Sequence, residues 1–192
     1  MKLHYKGKFD GNEESLPHGE HRENAVRFRE PEAKKFTLIA NAGALLLAAV
    51  LLVPFFLRAR AFFSAATIAH LWGACLLFFA TLLPHEVLHA LCFRGDVYLF
   101  TWLKRGALFV VGPEDMSKGR FVFMSLLPNL VFGVLPFTLF FFFPQITVLG
   151  FFGVLALSAG FGDYINVFFA LTQMPKGART YLYGFHSYWF LP

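Results

Sequence analysis

The sequence is short of charge. Only 15% of its 192 residues are Asp, Glu, Lys or Arg, whereas 57% are hydrophobic and the mean hydropathy is +0.56. Soluble domains carry about 25% charged and about 45–50% apolar residues, so most of this chain is excluded from that class. The shortage is also uneven. Residues 1–35 hold eight Lys/Arg and seven Asp/Glu, leaving nine and five for the rest. Cysteine is scarce too. Cys75 and Cys92 are 17 residues apart in one apolar stretch, roughly 25 Å along a helix at about 1.5 Å per residue, too far for a disulfide. No internal repeat is visible. The first apolar run begins at Phe36 and is too long for the core of a signal peptide, so none is expected. The net charge of +5 does not point to nucleic acid, because the basic residues flank apolar runs and no stacking platform accompanies them.

What the sequence has is long apolar runs. Four of them reach the roughly 20 residues that cross a bilayer. They are Phe36–Leu57, a run within Ala61–Phe93 (residues 63–93), Phe121–Phe143 and Ile146–Leu171. With the N-terminus inside, the inner segments hold eight, five and two Lys/Arg, and the outer ones hold only Arg58 and Arg60. This bias predicts a multi-pass protein of the cell membrane with both termini cytoplasmic. Residues 1–35, interrupted by Gly7, Gly11, Pro17, Gly19 and Pro31, are expected to be a mostly irregular polar tail before a membrane-embedded domain over 36–192. Val97–Leu103 and Ala107–Val111 are rich in β-formers and flank Lys104-Arg105-Gly106, which predicts a hairpin. The expected fold is therefore an all-α membrane protein of about four transmembrane helices, with a small β-hairpin between helices two and three.

The chemistry concentrates in Pro84-His85-Glu86-Val87-Leu88-His89. This is H-E-x-x-H. On a helix, residues i and i+4 share a face, so both imidazoles can reach one metal ion, and the Glu is placed beside it as a general base. Glu86 and Asp163 are the two acidic residues inside the apolar runs. Each is costly at membrane depth unless paired or solvated. A catalytic zinc takes three protein ligands and keeps a water, and Asp163 is the carboxylate left to be the third. Runs two and four cross in the same direction. His89, His85 and Asp163 then fall about 6, 12 and 12 Å from the inner ends of their runs, at about 1.5 Å per residue. Two His and one carboxylate favour zinc over other metals.

Other polar residues have quieter expectations. His70 lies roughly 22 Å along the helix from His85 and is expected to be a structural histidine. Pro84 is expected to kink its helix just ahead of the site and free a carbonyl. Asn166, three residues past Asp163, could orient it or bond a neighbouring helix, and Asn129 has the same two roles open to it. His186 is expected beside the aromatic anchors of the C-terminal tail.

Pro84-His85-Glu86-Val87-Leu88-His89-Ala90, Met116-Ser117-Lys118-Gly119-Arg120, Gly162-Asp163-Tyr164-Ile165-Asn166, Met174-Pro175-Lys176-Gly177 and Gly184-Phe185-His186-Ser187-Tyr188-Trp189 together resemble a bacterial membrane zincin (metallopeptidase) family of unknown function, related to the site-2 intramembrane proteases. The resemblance covers most of the chain. It implies zinc held by His85, His89 and Asp163, a β-rich element after the His-Glu span, and hydrolysis of peptide bonds in a membrane protein or peptide at the inner leaflet. In site-2 proteases the Asp is often followed by Gly; here Tyr164 follows. The rival expectation is a non-catalytic membrane metal-binding or scaffold protein with a protease-derived site.

Overall fold

The computed structural model describes residues 1–59, 65–103 and 106–192. The expected turn residues Lys104 and Arg105, with Arg60 and Ala61 at the head of the second apolar run, lie outside the described residues. The chain forms two compact units. One comprises Pro31–Leu82 and Leu126–Ile165; the other comprises Met1–Glu30, Leu83–Ser125 and Asn166–Pro192.

The first unit is helical. Its elements are α1 (Ala33–Ala59), α2 (Ala65–Ala80), the end of α4 (Lys118–Asn129), a π-helical turn (Leu130–Val134), α5 (Leu135–Phe142), α6 (Thr147–Ala159) and the start of α7 (Phe161–Gln173). α6 is the centre, packing against α1, α2 and α5. It can do so because Gly150 and Gly153 let its backbone approach closely. A Cβ on Gly153 would lie 2.8 Å from Phe137 N and 2.9 Å from Phe137 Cα, and one on Gly150 would lie 2.8 Å from Phe140. Phe55, Ala74, Phe140, Phe151, Phe152 and Ala156 fill the resulting core. Small residues at helix contacts serve association where lipid offers no hydrophobic drive. The π turn has a local cause. Leu135 N–H donates five residues back to Leu130, which accommodates Pro136, the next residue, with no donor of its own.

Among the described residues, three helices are long and apolar enough to cross a membrane: Ala33–Ala59, Ala65–Leu91 and Lys118–Phe142. The fourth expected run is not one straight helix. It is α6 and α7, bent by 48°, and counting that pair gives four. The bend falls at Gly160, which ends α6.

The second unit corrects the expectation of an all-α chain with one hairpin. The hairpin is present, as β3 (Asp96–Trp102) and β4 (Ala107–Val111), with Gly106 at φ 58°. Among the described residues five more strands join it, and the structure is predominantly α with two small sheets. β1 (Lys2–Lys8) pairs in parallel with β3, giving the order β1-β3-β4. β2 (Val26–Arg27), β5 (Met116–Ser117), β6 (Arg179–Tyr183) and β7 (His186–Phe190) form a second sheet in the order β2-β7-β6-β5. The N-terminal residues thus contribute two strands, while most of 9–25 and 28–32 has no regular structure. β1 carries few apolar residues and is mostly exposed, so its stability comes from backbone pairing. The residue that follows it, Phe9, is 2% exposed, with its ring 5.2–6.0 Å from those of Phe100, Trp102, Phe109 and Phe185.

Polar contacts gather where apolar helices end. Lys118 Nζ donates to the carbonyls of Leu171 and Met174, at 3.2 and 2.8 Å, and so caps α7. Glu114 accepts from the backbone of Arg94 and Gly95 and pairs with Arg120, while Arg179 binds Asp115.

Gly153→Ala should overpack the α5–α6 contact and cost about 1–3 kcal/mol. Gly119→Ala, where a Cβ meets nothing within 4 Å, should hold or gain about 0.5–1 kcal/mol, the helical cost of glycine. Thermal melting of the two variants in detergent checks this, and a Gly153→Ala protein as stable as the wild type would refute the close-approach account.

Candidate metal centre

The segment before the site is shaped by Pro84. A proline has no N–H for the carbonyl four residues back, and its ring presses against that carbonyl. The affected residue is Ala80, and α2 ends there. Thr81 turns the chain, its N–H shared between the carbonyls of Leu77 and Phe78 at 3.0 and 3.1 Å and its hydroxyl donated to Phe78 at 2.8 Å. Then α3 (Leu82–Leu91) begins. Where a kink was expected, the helix divides in two, one turn before His85.

On α3 the i, i+4 spacing brings His85 and His89 together. Their Nε2 atoms are 3.2 Å apart and their ring planes meet at 77°. One ligand atom from each of His85, Glu86 and His89 lies within 4.8 Å of the others. His89 is 8% exposed, whereas His85 and Glu86 are half-buried. His89 Nδ1 lies 2.9 Å from the carbonyl of Met124. A carbonyl can only accept, so Nδ1 carries the proton and Nε2 presents a lone pair when the ring is neutral.

This donor set fits a zinc ion. Two nitrogens bound tetrahedrally at about 2.0–2.1 Å sit about 3.3–3.4 Å apart, close to the 3.2 Å observed. Metal-ligating histidines commonly give their other N–H to a carbonyl or carboxylate, which fixes the tautomer; His89 does this to Met124. The half-buried Glu86 is near enough to be either a ligand or a base.

Asp163 lies in the first turn of α7, in the helical unit. Asn129 donates Nδ2 to Asp163 Oδ2 at 2.8 Å, and Tyr164 donates its hydroxyl to Asn129 Oδ1 at 3.2 Å. Gly160 makes room for this arrangement, since a Cβ there would lie 2.8 Å from Asn129 Nδ2. The histidines and Glu86 thus form one local group in one unit, and Asp163 is bonded to Asn129 in the other.

The remaining candidates divide simply. His70 is bonded to Thr147 Oγ1 at 2.6 Å, as a structural histidine would be. His186 lies against the Arg27 guanidinium, 2.9 Å from Nδ1, and against Glu30 at 3.4 Å. Among the described residues the His/Glu group does not include it. It is Asn129, rather than Asn166, that the structure bonds to Asp163. Sequence reasoning missed Met124 altogether, because a main-chain contact leaves no mark on the residue that makes it. A signal existed in Pro128, four residues further on, which deprives that carbonyl of its helical donor.

Comparison with known proteins agrees with this centre. A family model described as "Putative zincin peptidase" matches residues 78–179, just over half of the chain. The match contains His85, Glu86 and His89 as well as Asn129 and Asp163. No curated protein and no solved structure matches significantly. The chain belongs to the family that this model describes.

Proposed function

We propose that this chain is a zinc-dependent membrane peptidase, related to the site-2 proteases, that hydrolyses peptide bonds at or within the inner leaflet of the cell membrane. The observation that carries this reading is the His85–Glu86–His89 group on one turn of α3, with imidazole nitrogens at zinc spacing, inside the stretch matched by the zincin family.

His85 and His89 would hold the zinc through Nε2, with Asp163 as third ligand. Zinc held there would supply the Lewis acidity that activates water near neutral pH and polarises a carbonyl. Glu86 takes the proton from the attacking water and delivers it to the departing amine nitrogen, so the base of one step is the acid of the next. Met124 keeps His89 in the tautomer that ligation requires. A helical substrate hides its carbonyls and must be held extended. The edge strand β4 has a row of backbone groups suited to strand addition.

The membrane assignment rests on the three helices long and apolar enough to span, or four with the bent pair, and on the Lys/Arg bias, which puts both termini in the cytoplasm. The substrate would accordingly be a membrane protein or peptide.

Two outcomes are expected. Purified without chelators, the wild-type chain should carry close to one zinc, and Asp163→Ala should lose most of it in elemental analysis. Retention of zinc by that variant would move the third ligand elsewhere. Glu86→Gln should keep the metal while cleavage of an unfolded membrane substrate falls by at least about a hundredfold, the usual contribution of a general base. Cleavage surviving at wild-type rate would remove Glu86 from the chemistry. Zinc bound with no hydrolysis in any variant would favour the metal-binding or scaffold alternative.

A further inference from the structure

Pro128 lies inside α4 and is fully buried. It has no N–H to give to the carbonyl of Met124, four residues back, and its ring forces that carbonyl away from the helical direction. In an apolar helix such a carbonyl is costly until another donor reaches it. The donor is His89 Nδ1, at 2.9 Å. The next residue, Asn129, is 3% exposed and is also turned to a site residue, giving Nδ2 to Asp163 at 2.8 Å. Its other amide atom, Oδ1, is held by the Tyr164 hydroxyl at 3.2 Å, which fixes which end of the amide meets the carboxylate. An Asn whose oxygen accepts from a phenol must present its NH2 to the neighbour it bonds on the other side.

We propose that Pro128-Asn129 is a positioning pair for the metal ligands. Pro128 frees the carbonyl that sets the tautomer and ring angle of His89, and Asn129 sets the rotation of the Asp163 carboxylate. This rests on the metal-centre reading above. Neither residue touches metal or substrate. Both act through the ligands, as outer partners of metal sites do, where their loss typically weakens binding by tenfold to a hundredfold. A proline kept merely to bend α4 would need any donor for Met124, and an asparagine kept merely to join helices would need any acceptor. In each case the partner is a residue of the proposed centre.

The test is zinc affinity of the full chain in detergent, by competition with a chromophoric chelator, beside the melting temperature of the metal-free protein. Pro128→Ala and Asn129→Leu should each weaken zinc tenfold to a hundredfold, and the visible absorption of cobalt-loaded Pro128→Ala should shift. Pro54→Ala, which removes the proline inside α1, should change neither. The sign of the melting shift separates positioning from structure. Pro128→Ala restores a helical donor, so its metal-free melting temperature should hold or rise while its affinity falls. Wild-type affinity in either variant overturns that residue's half of the proposal. So does a loss of affinity that merely follows a fall in metal-free stability. If Asn129→Leu does not fold, Pro128→Ala decides alone. A folded wild type that takes up no zinc, like His85→Ala, sinks the metal-centre reading itself, a result distinct from unchanged affinity in the variants.

Discussion

A backbone or side-chain polar group that packing buries, or that a proline or a helix end leaves without its helical partner, is costly until another group meets it. Much of this structure answers that demand. The carbonyl that Pro128 orphans is met by His89. The carbonyls at the end of α7 are met by Lys118. Phe141, near the end of α5, is met by Arg58 Nε at 2.9 Å. The Asp163 carboxylate is met by Asn129. Prolines therefore do more than bend helices. Pro84 ends α2 at Ala80 and so sets where α3 starts, and Pro128 determines what an imidazole on α3 is bonded to.

The apolar bulk is organised by the same economy. Nearly everything in the helical unit is greasy, so hydrophobicity cannot say which face meets which. Steric shape does. Gly150 and Gly153 are the places on α6 where a neighbouring helix can come close, and Phe55, Phe137 and Phe140 take up that space. Gly160 works at smaller scale, clearing room for the Asn129 amide. Glycine in a helix interior gives up about 0.5–1 kcal/mol against alanine. That cost is offset where the absent methyl would have met a backbone atom or the polar pair beside Asp163.

The sequence made some of this legible for physical reasons. Long apolar runs and H-E-x-x-H are strong local patterns, so the helices, the His-Glu-His group and the β3–β4 hairpin could be read directly. The rest depended on contacts distant in sequence. β1 is a polar strand whose partner lies about 90 residues away, and nothing in Lys2–Lys8 announces it. β6 and β7 are rich in aromatic residues and flank Gly184, at φ 60°. Aromatic density of this kind equally suits interfacial anchors. The split of the last apolar run into α6 and α7 was hidden because Gly160 is one glycine among several on that run. Spacing points to Asn166, three residues past Asp163, whereas Asn129, 34 residues before it, is bonded to that carboxylate only through the fold.

The family match covers residues 78–179, and the strands divide around it in an informative way. Inside it lie α3, α4 and α7, which carry every residue of the proposed centre, with β3, β4 and β5. Outside it lie β1, β2, β7 and all of β6 but Arg179; β1 pairs with β3, β7 with β6 and β2 with β7. β3 begins five residues after α3 ends, and β6 begins six after α7 ends. Each sheet is thus tied by a short connection to the end of a helix that carries site residues, and each is finished by chain from beyond the matched stretch. The chemistry needs the helices to place imidazoles and a carboxylate. Holding the ends of those helices needs sheets of more than two strands, since an isolated hairpin is marginal in water. A polar N-terminal segment that adds one strand to each sheet supplies that support without adding another residue to the site.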